Sequence, residues 1–514
     1  MNLKLGAILL LFLALYTQAQ QTNIPLDFQS QNNIEKELLR SNSLTFTSQR
    51  PLLYSNLHKI INVDSMVNME GRDSIIITKL KHPSWWRKLR TEDLIIVKKN
   101  GFILKINPLM NFASGSSDFD KKKLMINSRG VDITGSLGKK FSFGSGVYES
   151  QAIFSNYYSE FIKDRAVVPG QGRVRLYKEN GYDFSQAYGY LSFSPSGNIN
   201  FQMGHGKHFI GEGYRSLILS DNSFNMPYAK LSVKRKRMRY TNLIVAYQNT
   251  KIADGTSEIS NRKYGSYTSL DFLIGKFMEI GLTESIVWGR KDSLSYFPNL
   301  NLYNPIILFR TFQYGMDGEN NVLLALNTKI KISKSIVSYG QFIFDNNDKT
   351  AYQIGVKWFD VFKTKLFVQL EYNSVQPYTY TSWSKQSFTH YNQEIAHPLG
   401  ANFSELFCRF KYKWKDVLIS YQYNLASRRL NENFEAYGSN IFIPYLSSDE
   451  TQINKKEQIV NHSFTLAYLI NPVSNLQLYF EARIRNWSIP NTSEKENIWL
   501  FGIKTNLQNL YSDF

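Results

Sequence analysis

The chain has 514 residues, with 60 lysines and arginines against 42 aspartates and glutamates, so its formal net charge is +18. A single cysteine, Cys408, excludes an internal disulfide. The mean hydropathy of −0.33, with no long apolar run beyond the N-terminus, excludes a bundle of membrane-spanning helices.

The first 19 residues have the features of a secretory signal peptide. Lys4 supplies the positive start, residues 5–15 the apolar stretch, and residues 17–19 the small or polar residues before a cut after Ala19. A membrane anchor is the alternative, but the apolar stretch is shorter than the ~20 residues of a spanning helix. For an exported chain of this charge we expect anionic lipid headgroups or acidic polysaccharide as partners, and no nucleic acid.

Residues 20–91 differ from the remainder of the chain. The sequence NNIEKELLR at residues 32–40 predicts a short helix capped by an asparagine, and residues 82–90 predict a second helix. A hairpin turned at Asn100-Gly101 is predicted over residues 94–106. We interpret residues 20–91 as a partly helical periplasmic segment that forms a partial plug; a loosely ordered tail is the alternative.

Residues 92–514 consist largely of segments that alternate apolar and polar side chains with a period of two. In one of them Leu366, Val368, Leu370 and Tyr372 oppose Gln369, Glu371 and Asn373. A soluble β-sandwich shows the same period, but its strands average ~5–6 residues, whereas these segments run to ~10–14 residues and number about 16–18. Tight turns such as residues 332–335 alternate with long polar stretches such as residues 376–401. The pattern predicts an all-β, antiparallel outer-membrane barrel with both termini periplasmic and a polar, water-filled lumen.

Two further stretches qualify this prediction. Residues 155–173 break the alternation and predict a helical turn and a glycine-rich loop, at the rim or folded inward. The last residue is Phe514, and a terminal aromatic residue is common in outer-membrane barrels.

The stretch GHGKHFIGEGYRSLILSDN, residues 204–222, allows three interpretations. A metal site is disfavoured, because His205 and His208 are three apart and would face opposite sides of a strand. A phosphate loop is disfavoured, because G-x-x-x-x-G-K-[ST] is missing from the stretch. We therefore predict a bent piece of barrel wall, in which Arg215 has a carboxylate partner from the protein or from a ligand.

The sequence favours a binding protein over an enzyme. It has no G-x-S-x-G motif, and His390, Asn392 and His397 lie in a polar loop suited to hydrogen bonding with backbone or sugar hydroxyls. We expect no catalytic residue, cofactor or metal. The candidate ligand-binding or lumenal residues are Arg173, His205, His208, Glu212, Tyr214, Arg215, Asp221, Asn222, His390, Asn392 and His397.

Residues 204–231 resemble the signature of the Wzi-type capsule-assembly barrels, with Ile210 where that family usually carries tryptophan. Nearly all of the mature chain resembles the RemB-like gliding-motility proteins of the outer membrane within that wider group. The matching blocks are VVPGQGRV (residues 167–174), GYRSLILSDNSFNMPY (213–228), HYNQEIAHPLGANFSE (390–405) and GIKTNLQNLYSDF (502–514).

The resemblance implies a non-enzymatic barrel that supports gliding through surface polysaccharide or through proteins of the gliding machinery. A Wzi-like protein that binds capsule or exopolysaccharide is the first alternative, and a diffusion channel is the second. The non-alternating inserts at residues 155–173 and 376–401 favour a filled lumen over an open one.

Overall fold

The structure is a computed structural model that describes residues 21–41, 43–63, 84–248, 262–289, 303–316, 320–345, 348–382, 386–430, 437–443 and 455–514. The predicted signal peptide lies outside the described residues. Within them, 18 antiparallel strands form one closed barrel, as the alternating segments predict. The fold class and the strand number are therefore confirmed.

The strands are β1 (Gln49–Arg50), β2 (Ile95–Lys99), β3 (Phe102–Ser117), β4 (Lys123–Leu137), β5 (Phe141–Ile153), β6 (Arg175–Tyr177), β7 (Gly181–Ser196), β8 (Ile199–Gly206), β9 (Phe209–Ile210), β10 (Met226–Arg235), β11 (Met238–Gln248), β12 (Arg262–Ile274), β13 (Met278–Gly289), β14 (Asn321–Lys331), β15 (Ile336–Asp345), β16 (Thr350–Trp358), β17 (Leu366–Val375), β18 (Thr389–His390), β19 (Gln393–Glu394), β20 (Phe403–Trp414), β21 (Val417–Leu430), β22 (Lys455–Asn471), β23 (Leu476–Ile489) and β24 (Thr492–Lys504). The helices are α1 (Phe28–Arg40), α2 (Tyr54–Leu57), α3 (Ser84–Arg90), α4 (Asn156–Arg165) and α5 (Phe309–Tyr314), with 3-10 turns at Phe119–Lys121 and Val361–Lys363.

The barrel wall comprises β3–β5, β7, β8, β10–β17 and β20–β24, each paired with its neighbours along the chain. It closes where β24 pairs with β3, with Lys504 opposite Asn111 and Ile498 opposite Ser117. The short strands β2 and β6 pair only with the edges of β3 and β7. Asn100 and Gly101 join β2 to β3 with positive φ angles of 47° and 79°, so the predicted hairpin is confirmed.

Connections at the two ends of the barrel differ in length. One end, the short-turn rim, carries connections such as residues 197–198, 236–237, 332–335 and 415–416, and both ends of the wall, at Phe102 and Lys504, lie there. The other end, the long-loop rim, carries residues 154–180, 207–225 and 376–402. The predicted helical turn in residues 155–173 is α4, at the long-loop rim, and the predicted loop comes directly after it.

The wall strands separate apolar from polar side chains in the predicted manner. On β17, Leu370 is 40% exposed on the outer face, whereas Glu371 is 1% exposed on the lumenal face. On β20, Phe410 and Tyr412 face outward, and Arg409 faces inward. An apolar outer face suits contact with lipid, because hydrocarbon cannot solvate polar groups. None of the helices that the structure describes has the length and apolar character to cross a bilayer.

The outer face can be tested by placing one charge at two depths on the same strand. Leu370→Arg, in the middle of β17, is expected to destabilise the barrel by about 2–4 kcal/mol, and Leu366→Arg, at the rim end of the same face, by about 0–1 kcal/mol. The measurement is the free energy of unfolding in lipid vesicles from a urea titration. Equal costs for the two variants would show that this face does not contact the hydrocarbon layer.

The lumen is filled by four chain segments, which we call the plug: residues 21–63, 207–225, 376–402 and 505–514, as far as they are described. Asn23 donates to Tyr190 Oη (3.0 Å), Tyr380 donates to the carbonyl of Leu217 (2.8 Å), and Asn509 donates to the carbonyl of Leu26 (2.8 Å). Leu217, Ile218 and Leu219 are fully buried in an apolar cluster inside the barrel. The expectation of a water-filled lumen is therefore wrong in this region.

Two local predictions are corrected as well. Helix α1 begins at Phe28 rather than near residue 32, because Asp27 is the N-cap and accepts a hydrogen bond from the Ser30 amide (2.8 Å). The predicted wall segment at residues 204–222 is wall only as far as Gly206, where β8 ends. The remainder turns inward, because its apolar residues pack on the plug instead of facing lipid.

Candidate functional site

The inward loop after β8 forms the centre of the plug. Gly211 has a φ of 134° and approaches the Gln341 side-chain amide, and Gly213 approaches the carboxylate of Glu371. A Cβ atom at either position would collide with these lumenal groups, which explains the glycines of the sequence motif. Glu371 then accepts hydrogen bonds from the backbone amides of Tyr214 (2.7 Å) and Arg215 (3.4 Å).

Arg215 is the most deeply buried charge of the plug, with no exposed surface. Its Nη2 donates to Asp513 Oδ1 over 2.7 Å, and its guanidinium lies over the rings of Tyr214 and Tyr511 at 5.0 and 4.6 Å. Burial alone would lower the pKa of Arg215, but the Asp513 carboxylate raises it above the usual range. The carboxylate partner expected for Arg215 is thus supplied by the protein, at Asp513.

Tyr214 extends the same cluster toward the wall. Its ring stacks on Phe407 at 3.9 Å with an interplanar angle of 8°, and the Arg409 guanidinium lies 4.1 Å from its centre. Phe28, at the start of α1, packs against the same tyrosine at 5.1 Å. Tyr214 thus joins α1, the wall and the C-terminal tail.

Asp221 and Asn222 hold the far end of the loop. Asp221 accepts from Tyr511 Oη (2.5 Å), and Asn222 donates to the carbonyl of Glu394 (2.8 Å). Lys207 Nζ donates to the carbonyls of Gly170 (2.8 Å) and Asp221 (2.9 Å), and burial lowers the pKa of Lys207 to about 8. These contacts join the end of the loop to the C-terminal tail, to β19 and to the loop that follows α4.

Glu212 connects the loop to the N-terminal segment. Its carboxylate lies 3.2 Å from Arg50 Nη2 and 3.5 Å from Lys329 Nζ, and it also accepts from Thr47. Lys329 forms a second ion pair, of 3.1 Å, with Glu35 on α1. These contacts anchor residues 21–63 to the lumenal face of the wall.

The histidines occupy separate places. His205 lies 3.1 Å from the carbonyl of Ala187, and His208 packs edge-on against Tyr228 at 4.2 Å. His397 Nε2 lies 2.8 Å from Glu405 Oε2. Asn392 donates to the carbonyl of Arg165 (2.9 Å) in another part of the plug. Across the described ranges, no three histidine, cysteine, aspartate or glutamate residues are grouped for a metal ion.

His390 has both ring nitrogens engaged in a way that requires the neutral ring. Nδ1 accepts from the Gln248 amide (3.1 Å), so Nε2 carries the proton and donates to the carbonyl of Asn225 (3.1 Å). Burial lowers the pKa of His390 to about 3. A second proton would break the bond from Gln248 and leave a buried cation.

The folded state should therefore lose stability on acidification. Because the pKa of His390 is lower in the folded state than the ~6.5 of an unfolded chain, the contribution of this ring is complete above pH ~6.5 and declines as the pH falls toward 3. His390→Gln should flatten the decline in unfolding free energy between pH 6.5 and 4.5, whereas the exposed His58→Gln should not. Urea titrations across this range provide the measurement; an unchanged slope in His390→Gln would contradict the prediction.

Arg173 differs from the other candidates, because its side chain is exposed at the long-loop rim beside β6. The remaining candidates form a connected plug or, like His205, lie at its edge. Sequence reasoning missed the partners that complete this plug: Asp513, Tyr511, Glu371 and Gln341. Only the polar character of the last three residues before Phe514 could have indicated that the C-terminal tail leaves the wall.

Four sequence segments, residues 167–174, 213–228, 390–405 and 502–514, meet inside the barrel. Gly170 donates to Gln393 Oε1 (2.6 Å), and Gln393 in turn donates to the carbonyl of Gln171 (2.8 Å). The Asn222 and Arg215 contacts described above join the second segment to the third and to the fourth. These segments thus form one structural unit. They are far apart in the sequence because wall strands lie between them.

Comparison with known proteins gives similarity of structure alone. No protein-family model matches the chain, and no curated protein matches its sequence. Wzi, a carbohydrate-binding outer-membrane barrel involved in group 1 capsule assembly in Escherichia coli, has a TM-score of 0.57 at 13% identity, over 96% of this chain and 100% of Wzi.

OprD of Pseudomonas aeruginosa and OccAB2 of Acinetobacter baumannii have TM-scores of 0.43 and 0.44, at 11% and 12% identity. The matches cover 79% and 78% of this chain and 96% and 97% of those chains. The similarity to Wzi shows that this chain has the fold of an outer-membrane barrel.

Proposed function

We propose that this chain is a non-enzymatic outer-membrane barrel that binds polysaccharide at the cell surface. The observation that carries the proposal is the filled lumen, in which four segments meet through buried ion pairs and apolar contacts. A barrel whose interior is occupied by its own chain offers binding surfaces rather than a wide pore. The carbohydrate binding of Wzi, which shares this fold, supports the same class of ligand.

The long-loop rim offers a surface suited to an acidic glycan. Arg173, Arg175 and Lys178 are exposed around β6, and Lys178 Nζ lies 5.2 Å from the centre of the Tyr177 ring. Arginine binds carboxylates through two parallel donors, and a tyrosine face offers apolar surface to a sugar ring. We assign polysaccharide binding to this basic patch, defined by Arg173, Arg175, Tyr177 and Lys178.

Orientation is part of the same proposal. The long-loop rim faces the exterior, and the short-turn rim, with both ends of the wall, faces the periplasm. In a Cys408→Ser background, Lys178→Cys should react with a membrane-impermeant thiol reagent on intact cells, and Lys236→Cys, in a turn of the short-turn rim, should not. Labelling at Lys236→Cys alone would reverse the orientation.

A role in gliding motility is a second candidate. It rests on the resemblance of the four sequence blocks, and the contacts among these blocks favour a shared structural purpose. In this hypothesis the plug stiffens a platform that holds polysaccharide, or a protein of the gliding machinery, at the surface. This hypothesis and simple capsule binding predict different defects in a deletion strain.

A deletion strain complemented with variants tests both. Loss of surface polysaccharide that is restored by the wild type, but not by Arg173→Ala/Arg175→Ala/Lys178→Ala, would support polysaccharide binding at the basic patch. Loss of colony spreading with normal surface polysaccharide would favour the machinery contact. The exposed Lys276→Ala on the other rim is the control. Normal polysaccharide and normal spreading in the deletion strain would contradict both candidates.

A further inference from the structure

A second polar site lies inside the barrel. A cavity of about 1060 Å³ is lined by α1, the C-terminal tail and the wall strands β3–β5 and β20–β24. Its lining reaches the short-turn rim at Ser335, Asp360 and Asn475, and reaches α4 at Tyr158. None of the four residues of the basic patch lines it, so the cavity is a separate site.

Three carboxylates line this cavity, and two of them are held in ion pairs. Asp360 pairs with Lys36 Nζ (3.0 Å) and Arg40 Nη2 (2.8 Å). Glu481 pairs with Arg483. The third, Asp27, caps α1 by accepting from the Ser30 amide with Oδ1, while its Oδ2 has no hydrogen-bond partner in the described chain. Asp27 is therefore the one carboxylate of the described cavity wall that is left to act on further positive charge, and it forms no ion pair within 4.0 Å.

Besides the exposed Lys363 and Lys365, three cations of the inner cavity wall form no ion pair with a carboxylate of the described chain. Arg409 and Lys411 alternate on β20, so their Cα atoms are ~6.6 Å apart, and Lys504 extends from β24. No carboxylate of the described chain lies within the 4.0 Å ion-pair distance of any of them, and Asp27 and Glu481 act on the two lysines only at longer range. Lys411 is within electrostatic range of both Arg409 and Lys504. Positive charges held together away from bulk water are costly, so they favour an anion that neutralises them.

Neutral polar groups lie beside these cations. Ser420, Ser463 and Thr465, on β21 and β22, line the same cavity, as does Gln477 on β23. Hydroxyl and amide groups suit the hydroxyls of a sugar, because each can donate and accept. Because the positive charges come from separate parts of the wall, they suit an extended ligand with several acidic groups better than a single small ion.

We propose that this cavity binds an acidic oligosaccharide that enters from the short-turn rim, with its carboxylates at Arg409, Lys411 and Lys504. The sugar class rests on the proposed function, whereas the place of binding does not. The barrel would then hold acidic glycan at two sites, on the outward basic patch and in this cavity. Exposed Lys363 and Lys365 at the mouth would attract the anionic chain.

The test is calorimetry on the purified, folded barrel with a galacturonate tetramer, with neutral maltotetraose, and with inorganic tripolyphosphate. We expect Lys411→Gln/Lys504→Gln to raise the Kd for a galacturonate-binding site about tenfold or more, since each lost charge-assisted hydrogen bond weakens binding. Lys411→Arg/Lys504→Arg should retain binding, and Lys236→Gln/Lys276→Gln, an equal charge loss on exposed turns, should leave it unchanged. The heat-modifiable band on gels verifies that each variant is folded.

The outcomes separate the two proposals. Galacturonate binding that is lost in the basic-patch variant but unaltered in Lys411→Gln/Lys504→Gln overturns the cavity site and leaves the proposed function standing. Tighter binding of tripolyphosphate than of galacturonate, lost in the same lysine variant, overturns the saccharide as ligand. Equal binding of maltotetraose overturns the role of the cations. No binding of any glycan to the wild type overturns both proposals.

Discussion

Replacing Asp513 with asparagine is expected to destabilise the folded barrel by about 3–5 kcal/mol, because Arg215 would be left charged and buried without its partner. The guanidinium has no exposed surface, and its Nε and Nη1 atoms have no hydrogen-bond partner in the described chain. Asp513 also accepts from Tyr214 Oη (3.1 Å) and from Gln422 (2.8 Å), so the substitution weakens the anchorage of the C-terminal tail. Urea titration in lipid vesicles measures the loss.

Two comparisons isolate the buried pair. Asp164→Asn removes the carboxylate of an exposed pair with Arg165 and should cost less than about 1 kcal/mol. Arg215→Met/Asp513→Leu removes both buried charges and should recover much of the loss, as in a double-mutant cycle. If Asp513→Asn were as mild as Asp164→Asn, the pair would not brace the plug. For Arg215→Lys, we expect surface function and heat resistance to fall together, because a brace rather than a ligand contact is altered.

The wall of this barrel could be predicted from its sequence, because every wall strand meets two different environments. Leu370 contacts the outside and Glu371 the lumen, so a period of two is imposed on the residue types themselves. The turn at Asn100-Gly101 is equally local, since its positive φ angles depend on two neighbouring residues. Predictions of this kind need no knowledge of distant contacts.

The plug could be predicted only in part, because its contacts join residues hundreds of positions apart. Nothing near Arg215 in the sequence identifies Asp513 as its partner. The sequence predicts a bend in the wall around Gly211, whereas in the structure Gly211 allows the inward loop to approach Gln341 on the lumenal face of the wall. Phe514 illustrates the same limit: β24 ends at Lys504, and the terminal ring packs against Tyr158 and Phe161 inside the barrel at 5.3 and 5.0 Å.

Removing the Glu35 carboxylate is also expected to have a large effect. It should lower the free energy of unfolding and open the lumen to ions. Glu35 lies on α1 between Lys357 Nζ (2.6 Å) and Lys329 Nζ (3.1 Å), and all three side chains are buried. Burial would raise the pKa of Glu35, but the two lysines lower it to about 2. Since the folded pKa is below the unfolded value, the contribution is complete above pH ~4.5 and is lost as the pH falls toward 2.

Glu35→Ala leaves two lysines buried with less compensation, so we expect a loss of about 3–5 kcal/mol at neutral pH and release of residues 21–63 from the lumenal wall. In planar bilayers the wild type should conduct little, and Glu35→Ala should show discrete open events as water and ions enter. Glu37→Ala is the matched control, because it removes an exposed pair with Arg40 from the same helix and should cost less than about 1 kcal/mol without opening the lumen. A wild type that conducts as freely as Glu35→Ala would contradict the plug and favour a diffusion channel over a binding protein.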